Sequence, residues 1–575
     1  MSTEDGRVTV AYNGEIYNYA ELRAELERLG HRFYSHGDTE VLLRAFAQWD
    51  TAAFARLRGM FAAAIWMERE RRLVLVRDRL GIKPLYFAKR GEDICFGSEL
   101  KTIFIHPEIG RRLDPAALDC YLGLNYVPCP WTMVEGVEKL RPGQWLEWRD
   151  GEIRTETYWR LPVSEPRRIH PEEAKEQLDT LIESSVREHL IADVPLGLWL
   201  SGGLDSSTIL HYAAQASSRP VNTFSVTFHG RSFDESSWVR PLVSRYGTKH
   251  EELDLNPGLA LRDAIEDFAD YADEPNADAG ALPVWFLSKM TRSAVTVALS
   301  GEGADELFGG YVTYRASELA RRMRRLPSPL LNVIAAAVRM WPASDEKISL
   351  EYKLKRFMEG CRMSPERAHV YWNGTFSEAQ KRALVTRKLP HALDRILGEL
   401  ARAGDNTEAR LWFDQKYYLP DDILAKVDRI SMAHSIEVRP PFLDHRIAEF
   451  AATLPIALKI DGSKQKVLLR SLMQHRLPSS ILHRGKIGFD IPAHEWLRGP
   501  LRELLVDTLA WAASEHSGLL DWTEVQSYVD AHLARRANYG YHLWGLIVLF
   551  LWMKRWSIQT AAAPSNARTL AAISS

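Results

Sequence analysis

The stretch Leu200-Ser201-Gly202-Gly203-Leu204-Asp205-Ser206-Ser207 constrains this 575-residue chain more than any other. It follows an apolar run at 194–200 that reads as a strand and opens onto a helical pattern at 208–214. Two glycines at such a junction let backbone N–H groups approach an anion closely, and the hydroxyls and the helix start add donors and partial positive charge. A phosphate cradle is therefore expected. It is not a Walker loop, because no Gly-Lys-Ser/Thr follows.

Two more apolar runs, 221–228 and 294–299, alternate with helical patterns, which predicts a parallel sheet with helices on both faces. Ligands on such sheets bind beyond the carboxyl ends of the strands. The run at 294–299 leads into Ser300-Gly301-Glu302-Gly303-Ala304-Asp305-Glu306, a second glycine-rich loop that is also acidic. Before residue 160 the texture is different: short strands at 8–12, 61–66, 73–76 and 94–96, and one helix at 19–29 stopping at Gly30. Pro162, Pro166 and Pro171 mark a linker. The expected division is a domain at 1–160, a second at 168–557 with a helical stretch at 310–420, and a disordered tail at 558–575.

Lys plus Arg number 73 against 75 Asp plus Glu, a net charge of −2, which gives no global attraction to nucleic acid or membrane. A small anionic substrate would need a local basic site. The apolar run at 543–553 is too short to span a bilayer and reads as a buried C-terminal helix. Cys95, Cys120, Cys129 and Cys361 form no CxxC pair, so neither a disulfide framework nor a zinc site is expected, and reduced cytoplasmic thiols are.

Several of these segments resemble known families. The segment from Ser201 to Ser207 resembles the pyrophosphate loop of the ATP pyrophosphatases, which form adenylates. The segment from Ser300 to Tyr311 resembles its counterpart in the glutamine-hydrolysing asparagine synthetases. So do the blocks around Asp421-Asp422 and Lys426-Val427-Asp428-Arg429, Glu437-Val438-Arg439-Pro440-Pro441-Phe442-Leu443-Asp444, Lys464-Gln465-Lys466 and Arg484-Gly485-Lys486. That resemblance implies an α/β fold: an αββα Ntn-type glutaminase domain, incomplete at its N-terminus, followed by a Rossmann-like ATP-pyrophosphatase domain with helical additions. It implies that Leu200 and Val226 bracket adenine and that Ser201, Gly202, Gly203, Asp205, Ser206, Ser207, Ser300 and Gly301 contact ATP. It further implies that Glu302 supports adenylate formation, that Asp205 and Asp305 hold Mg2+, and that Lys466 faces the phosphates.

The N-terminal segments Asn13-Gly14-Glu15, Gly37-Asp38-Thr39-Glu40, Arg77-Asp78-Arg79-Leu80-Gly81-Ile82-Lys83-Pro84-Leu85-Tyr86 and Ser98-Glu99-Leu100 resemble the glutaminase domain of class II amidotransferases. There Asn13 and Gly14 would form an oxyanion hole while Glu15 and Asp38 hold the glutamine amino group. The family's N-terminal cysteine nucleophile is absent, since Met1 and Ser2 stand first, and so is its Arg-Gly-Pro-Asp segment. Resemblance begins near residue 4, as in a chain truncated by a late start codon.

The expected reaction is ATP-dependent amidation of aspartate through an aspartyl adenylate. Nitrogen would come from glutamine in the full-length family and from ammonia alone in this chain. The rivals are a relative amidating another carboxylate and a non-catalytic nucleotide-binding protein. Small-molecule substrates and a homodimer are the expected partners, with no nucleic acid and no membrane.

Overall fold

The computed structural model describes all residues except 164–165, 229–233, 256–260, 342–349, 486–490 and 561–575. Eight strands build the N-terminal part: β1 Val8–Ile16, β2 Gly59–Met67, β3 Arg72–Arg77, β4 Tyr86–Arg90, β5 Asp93–Gly97, β6 Glu138–Lys139, β7 Gln144–Arg149 and β8 Glu152–Thr157. They form one antiparallel sheet of order β1-β2-β3-β7-β8 and a smaller one of order β5-β4-β6. Ala62, Ala64, Leu73, Leu75, Leu140 and Leu146 fill the space between the sheets. On the outer face of the larger sheet, helices Tyr19–Arg28 and Asp38–Trp49 bury Leu22, Leu26, Val41 and Phe46 against Phe61, Ile65 and Val74. Helices Leu100–Ile103 and Pro115–Leu124 cover the smaller sheet through Ile103, Leu118 and Tyr121, packed with Tyr86 and Ala88. The layering is thus helix, sheet, sheet, helix.

Strand β1 runs four residues further than its apolar pattern suggests, so Asn13-Gly14-Glu15 lies within a strand. The cause is pairing: Asn13, Gly14 and Glu15 sit opposite Ala62, Phe61 and Met60. A Cβ on Gly14 would fall 2.1 Å from the Met60 carbonyl oxygen, so the two strands approach this closely only with glycine there.

Five further strands, β9 Leu196–Trp199, β10 Asn222–Thr227, β11 Lys249–Asp254, β12 Val297–Leu299 and β13 Glu437–Arg439, form a parallel sheet of order β11-β10-β9-β12-β13. Helices Pro171–His189, Leu204–Ala216 and Ser236–Tyr246 cover one face through Leu178, Ile182, Ile209 and Val239. Helices Leu261–Tyr271, Ala281–Thr291 and Gly540–Trp556 cover the other through Ile265, Val284, Leu546 and Trp552. The last of these is buried along most of its length, and among the described residues no helix is long and apolar enough to cross a membrane. Two residues expected in the tail are held in place: Ile558 is buried, and the Gln559 backbone bonds to Arg111 and Leu113. The remainder, 561–575, lies outside the described residues.

Candidate active site

At the carboxyl ends of β9, β10 and β12 lies a cavity of about 340 Å³. Its first wall is the loop after β9. The following helix begins at Leu204, four residues earlier than the periodicity suggests, because its polar side chains serve the helix itself: Ser207 Oγ donates to the Gly203 carbonyl at 2.6 Å, and Thr208 Oγ1 to that of Leu204 at 2.7 Å. Asp205 and Ser206 therefore stand in the first turn, where the helix dipole favours negative charge. Ser201 and Ser206 join their hydroxyls at 3.1 Å, and the Gly203 amide donates to Ser201 Oγ at 3.3 Å. Gly202 has φ of +66°, and a Cβ there would meet the Trp238 backbone at 2.9 Å.

The second wall is the loop after β12. Its register is set by β13, since the Ser300 amide donates to the Arg439 carbonyl at 3.0 Å. Gly301 packs directly on the first loop: a Cβ there would lie 2.8 Å from the Ser206 amide nitrogen and 3.0 Å from Asp205 Cβ. Gly301→Ala must push the two loops apart, because its nearest neighbour is backbone. If the chain releases pyrophosphate from ATP as the resemblance implies, the variant should do so on the order of tenfold more slowly and unfold at a lower Tm, measured by pyrophosphate release and thermal unfolding.

Lys466 joins the two walls. Its Nζ lies 2.6 Å from Asp205 Oδ2 and 2.6 Å from Asp305 Oδ1, in a side chain only 6% exposed. The residue adopts left-handed backbone angles, φ 52° and ψ 43°, at the head of helix Val467–Met473. That conformation is unusual for a non-glycine residue and aims the ammonium into the cavity at some cost in backbone strain. Gly310 makes room for the pair: a Cβ there would fall 1.7 Å from Asp305 Oδ1 and 2.2 Å from Lys466 Cε.

Of the sequence-predicted residues, Leu200, Ser201, Gly203, Asp205, Ser206, Val226, Ser300, Gly301, Glu302, Asp305 and Lys466 all line this cavity. Gly202 and Ser207 stand behind its wall and shape the loop, since Gly202 packs against Trp238 and Ser207 is fully buried against Gly203. Leu200 and Val226 are buried side chains at the strand ends.

The cavity also contains residues to which sequence reasoning gave no role. Lys426 and Asp278 line it and pair with each other; beside them, outside the lining, Asn276 Nδ2 donates to Asp422 Oδ1 at 2.8 Å. Arg484 donates to the Ser201 carbonyl at 2.8 Å and pairs with Glu235, bracing the first loop from outside. Lys426 and Arg484 sit in charged blocks of the sequence, which was the available signal. Asp278 and Glu235 carried none. Burial raises the Glu306 and Asp422 carboxyls well above the ordinary range, with neighbouring Asp305 and Asp278 adding to it.

The N-terminal residues form a separate cluster. Asn13 Nδ2 donates to Ser98 Oγ at 3.3 Å, and Asp38 Oδ2 accepts from Tyr12 Oη at 2.7 Å and the Ile16 amide at 2.9 Å. Glu15 reaches Arg439 at 2.9 Å, and burial, partly offset by Arg439, raises its carboxyl to about 7. Asn13, Gly14, Glu15 and Asp38 do not line the cavity beside Lys466. The two clusters touch through Arg439, whose side chain holds Glu15 and whose carbonyl holds Ser300.

A glycine-rich loop lacking the Walker lysine thus follows the central strand of a parallel sheet, in a chain that also carries a two-sheet domain. Comparison with known proteins names the families. Residues 177–557 match the asparagine synthase family and residues 1–159 the glutamine amidotransferase domain. The chain is 32% identical over 557 residues to glutamine-hydrolyzing asparagine synthetase 1 of Bacillus subtilis, covering 96% of this chain and 86% of that one. It is 34% identical over 560 residues to a putative glutamine-hydrolyzing asparagine synthetase of Mycobacterium tuberculosis strain H37Rv, covering 95% and 84%. An archaeal relative, putative asparagine synthetase 2 of Methanocaldococcus jannaschii, shares 31% over 439 residues, 74% of this chain and 81% of that one. This chain belongs to the asparagine synthase family.

Proposed function

We propose that this protein uses ATP to activate the side-chain carboxylate of aspartate as an aspartyl adenylate, and that ammonia then displaces AMP to give asparagine. The observation that carries this reading is the placement of Lys466 Nζ between Asp205 and Asp305 in the cavity at the mouth of the pyrophosphate loop. A carboxylate resists ammonia because oxide leaves poorly, and adenylation replaces it with a good leaving group. Charge that builds on the phosphorus oxygens and the departing pyrophosphate then needs fixed positive partners.

In this reading Leu200 and Val226 flank adenine, while the amides near Gly202 and Gly203 and the hydroxyls of Ser201 and Ser206 hold phosphate oxygens. Ser300 and Gly301 close the nucleotide side, and Ser207 keeps the loop rigid. Glu302 and Lys426 face the acceptor. The donor set fits Mg2+, since two carboxylates plus substrate phosphates are what that ion takes. Asp205 and Asp305 would hold it, and when bound it would draw charge from the phosphate oxygens.

We assign residues 1–160 to the glutaminase-type unit and 168–557 to the synthetase. Asn13, Gly14, Glu15 and Asp38 are the candidates for glutamine contact. The thiols present are unsuited to attack on glutamine: burial raises all four, Cys129 to about 12 and Cys361 to about 11. A cytoplasmic protein working on small molecules fits the composition and the free cysteines, and a homodimer is carried over only from the family resemblance.

The test is to supply ATP, magnesium, ammonium and a panel of amino-acid carboxylates, and to identify products by mass. The expected outcome is AMP, pyrophosphate and asparagine with aspartate alone. Release of ADP and orthophosphate, or turnover with another acid, would overturn the reading.

A further inference from the structure

Helix Ser328–Arg339 packs on helix Leu350–Cys361 and buries Leu331 and Ala335. Other apolar residues of the same segment face outward: Leu330 is 46% exposed, Val333 66%, Met340 85% and Trp341 47%, and Ala337 is exposed between them. Their intervals of three, four, three and one place all five on one face of a helix. The chain keeps its helical path to the end of that stripe, since the Met340 amide bonds to the Ala336 carbonyl and that of Trp341 to Val338. Packing explains the inner face only. A single exposed apolar residue is ordinary, whereas a continuous stripe of them marks a surface that something covers.

The charges beside the stripe say what covers it. Between Leu319 and Trp341 stand five arginines, Arg321, Arg322, Arg324, Arg325 and Arg339, and no acidic residue, a local excess that the chain-wide net charge of −2 conceals. Arg321 and Arg322 share the one carboxylate of Glu318, while Arg325 and Arg339 are exposed and make no ion pair among the described residues. The basic run ends at Leu326, itself 38% exposed, so cations and apolar stripe are continuous in the chain. These are the two signals that seat a helix in the plane of a bilayer: apolar side chains, a tryptophan among them, that enter the headgroup boundary, and cations that meet anionic headgroups. A second copy of the chain fits worse, because a two-fold contact would set the same arginines against one another. With twelve residues the helix lies on a membrane and does not cross it.

We propose that helix Ser328–Arg339 and the arginines before it dock this protein onto the anionic surface of a lipid bilayer, with Leu330, Val333, Met340 and Trp341 entering the headgroup boundary.

The experiment floats the full chain with vesicles of mixed phosphatidylglycerol and phosphatidylcholine, and with vesicles of phosphatidylcholine alone. At physiological salt it should partition onto the mixed vesicles at least about tenfold more strongly, and raising the ionic strength to about 0.5 M should remove most of that difference. Arg325→Gln should weaken binding to the mixed vesicles about fivefold. Val333→Ser combined with Trp341→Ser should weaken it at least about tenfold. All three positions are exposed, so an unchanged Tm checks that the variants keep the fold. Equal binding to the two kinds of vesicle, or undiminished binding by the double variant, would overturn the proposal. So would a fall in the sedimenting mass of the double variant without lipid, which would make the stripe a contact between copies of this chain.

Discussion

Lys466→Ala is expected to bind ATP with little loss and to release pyrophosphate at least about a hundredfold more slowly, a cost of about 3 kcal/mol in the transition state. The split follows from what each group touches. In the proposed reading, ground-state nucleotide affinity comes from the loop after β9 and from the apolar strand ends Leu200 and Val226, of which the lysine touches only Asp205. The ammonium, by contrast, lies 2.6 Å from carboxylates at the starts of two different helices and lines the cavity where, in the proposed reading, charge builds on the phosphate oxygens as the phosphoanhydride breaks. Equilibrium dialysis for ATP together with rapid-quench measurement of pyrophosphate release separates the two effects. Near-normal release would remove Lys466 from the chemistry. Loss of ATP binding in step with rate would make it a binding residue only.

That site was partly legible because its parts are local. A strand, two glycines and a helix start are contiguous in the chain, so the Ser201–Ser207 cradle could be read from one short stretch of sequence. Where Lys466 sits could not be read the same way, since it comes from 261 residues beyond Asp205. Only resemblance pointed to it. Local rules also misplace boundaries where tertiary contacts compete with them. Asn13-Gly14 has the chemistry of a turn, yet the pairing of Gly14 with Phe61 keeps β1 extended to Ile16. Periodicity placed the start of the next helix at Thr208, because it counts apolar positions and is blind to hydroxyls that bond back to the helix carbonyls.

The same argument leads to the contact that couples the two units. The Arg77–Tyr86 block and the Asp421–Arg429 block are both rich in charge, a pattern more often found on solvated surfaces. In the fold they meet. Lys83 Nζ lies 2.8 Å from Asp428 Oδ1, with the two side chains 2% and 7% exposed, and Asp428 also pairs with Arg429, which reaches Asp273 at 3.1 Å. Burial by itself would raise the Asp428 carboxyl, but Lys83 and Arg429 overcome it and hold the group at about 2, below the ordinary 3.8. A carboxyl depressed in the folded state contributes stability that is fully present above the unfolded value and is lost as pH falls through the folded one. This contribution should therefore be intact above about pH 4 and disappear between about 4 and 2. Asp428→Ala leaves Lys83 buried without its partner, and the expected destabilisation is about 3–5 kcal/mol at neutral pH. Urea unfolding of the two chains at pH 7 should show that gap, and it should narrow as the pH is lowered toward 3, because the unaltered protein loses what the variant never had. A gap that stayed constant across that range would mean that the Asp428 charge is not what holds the two units together.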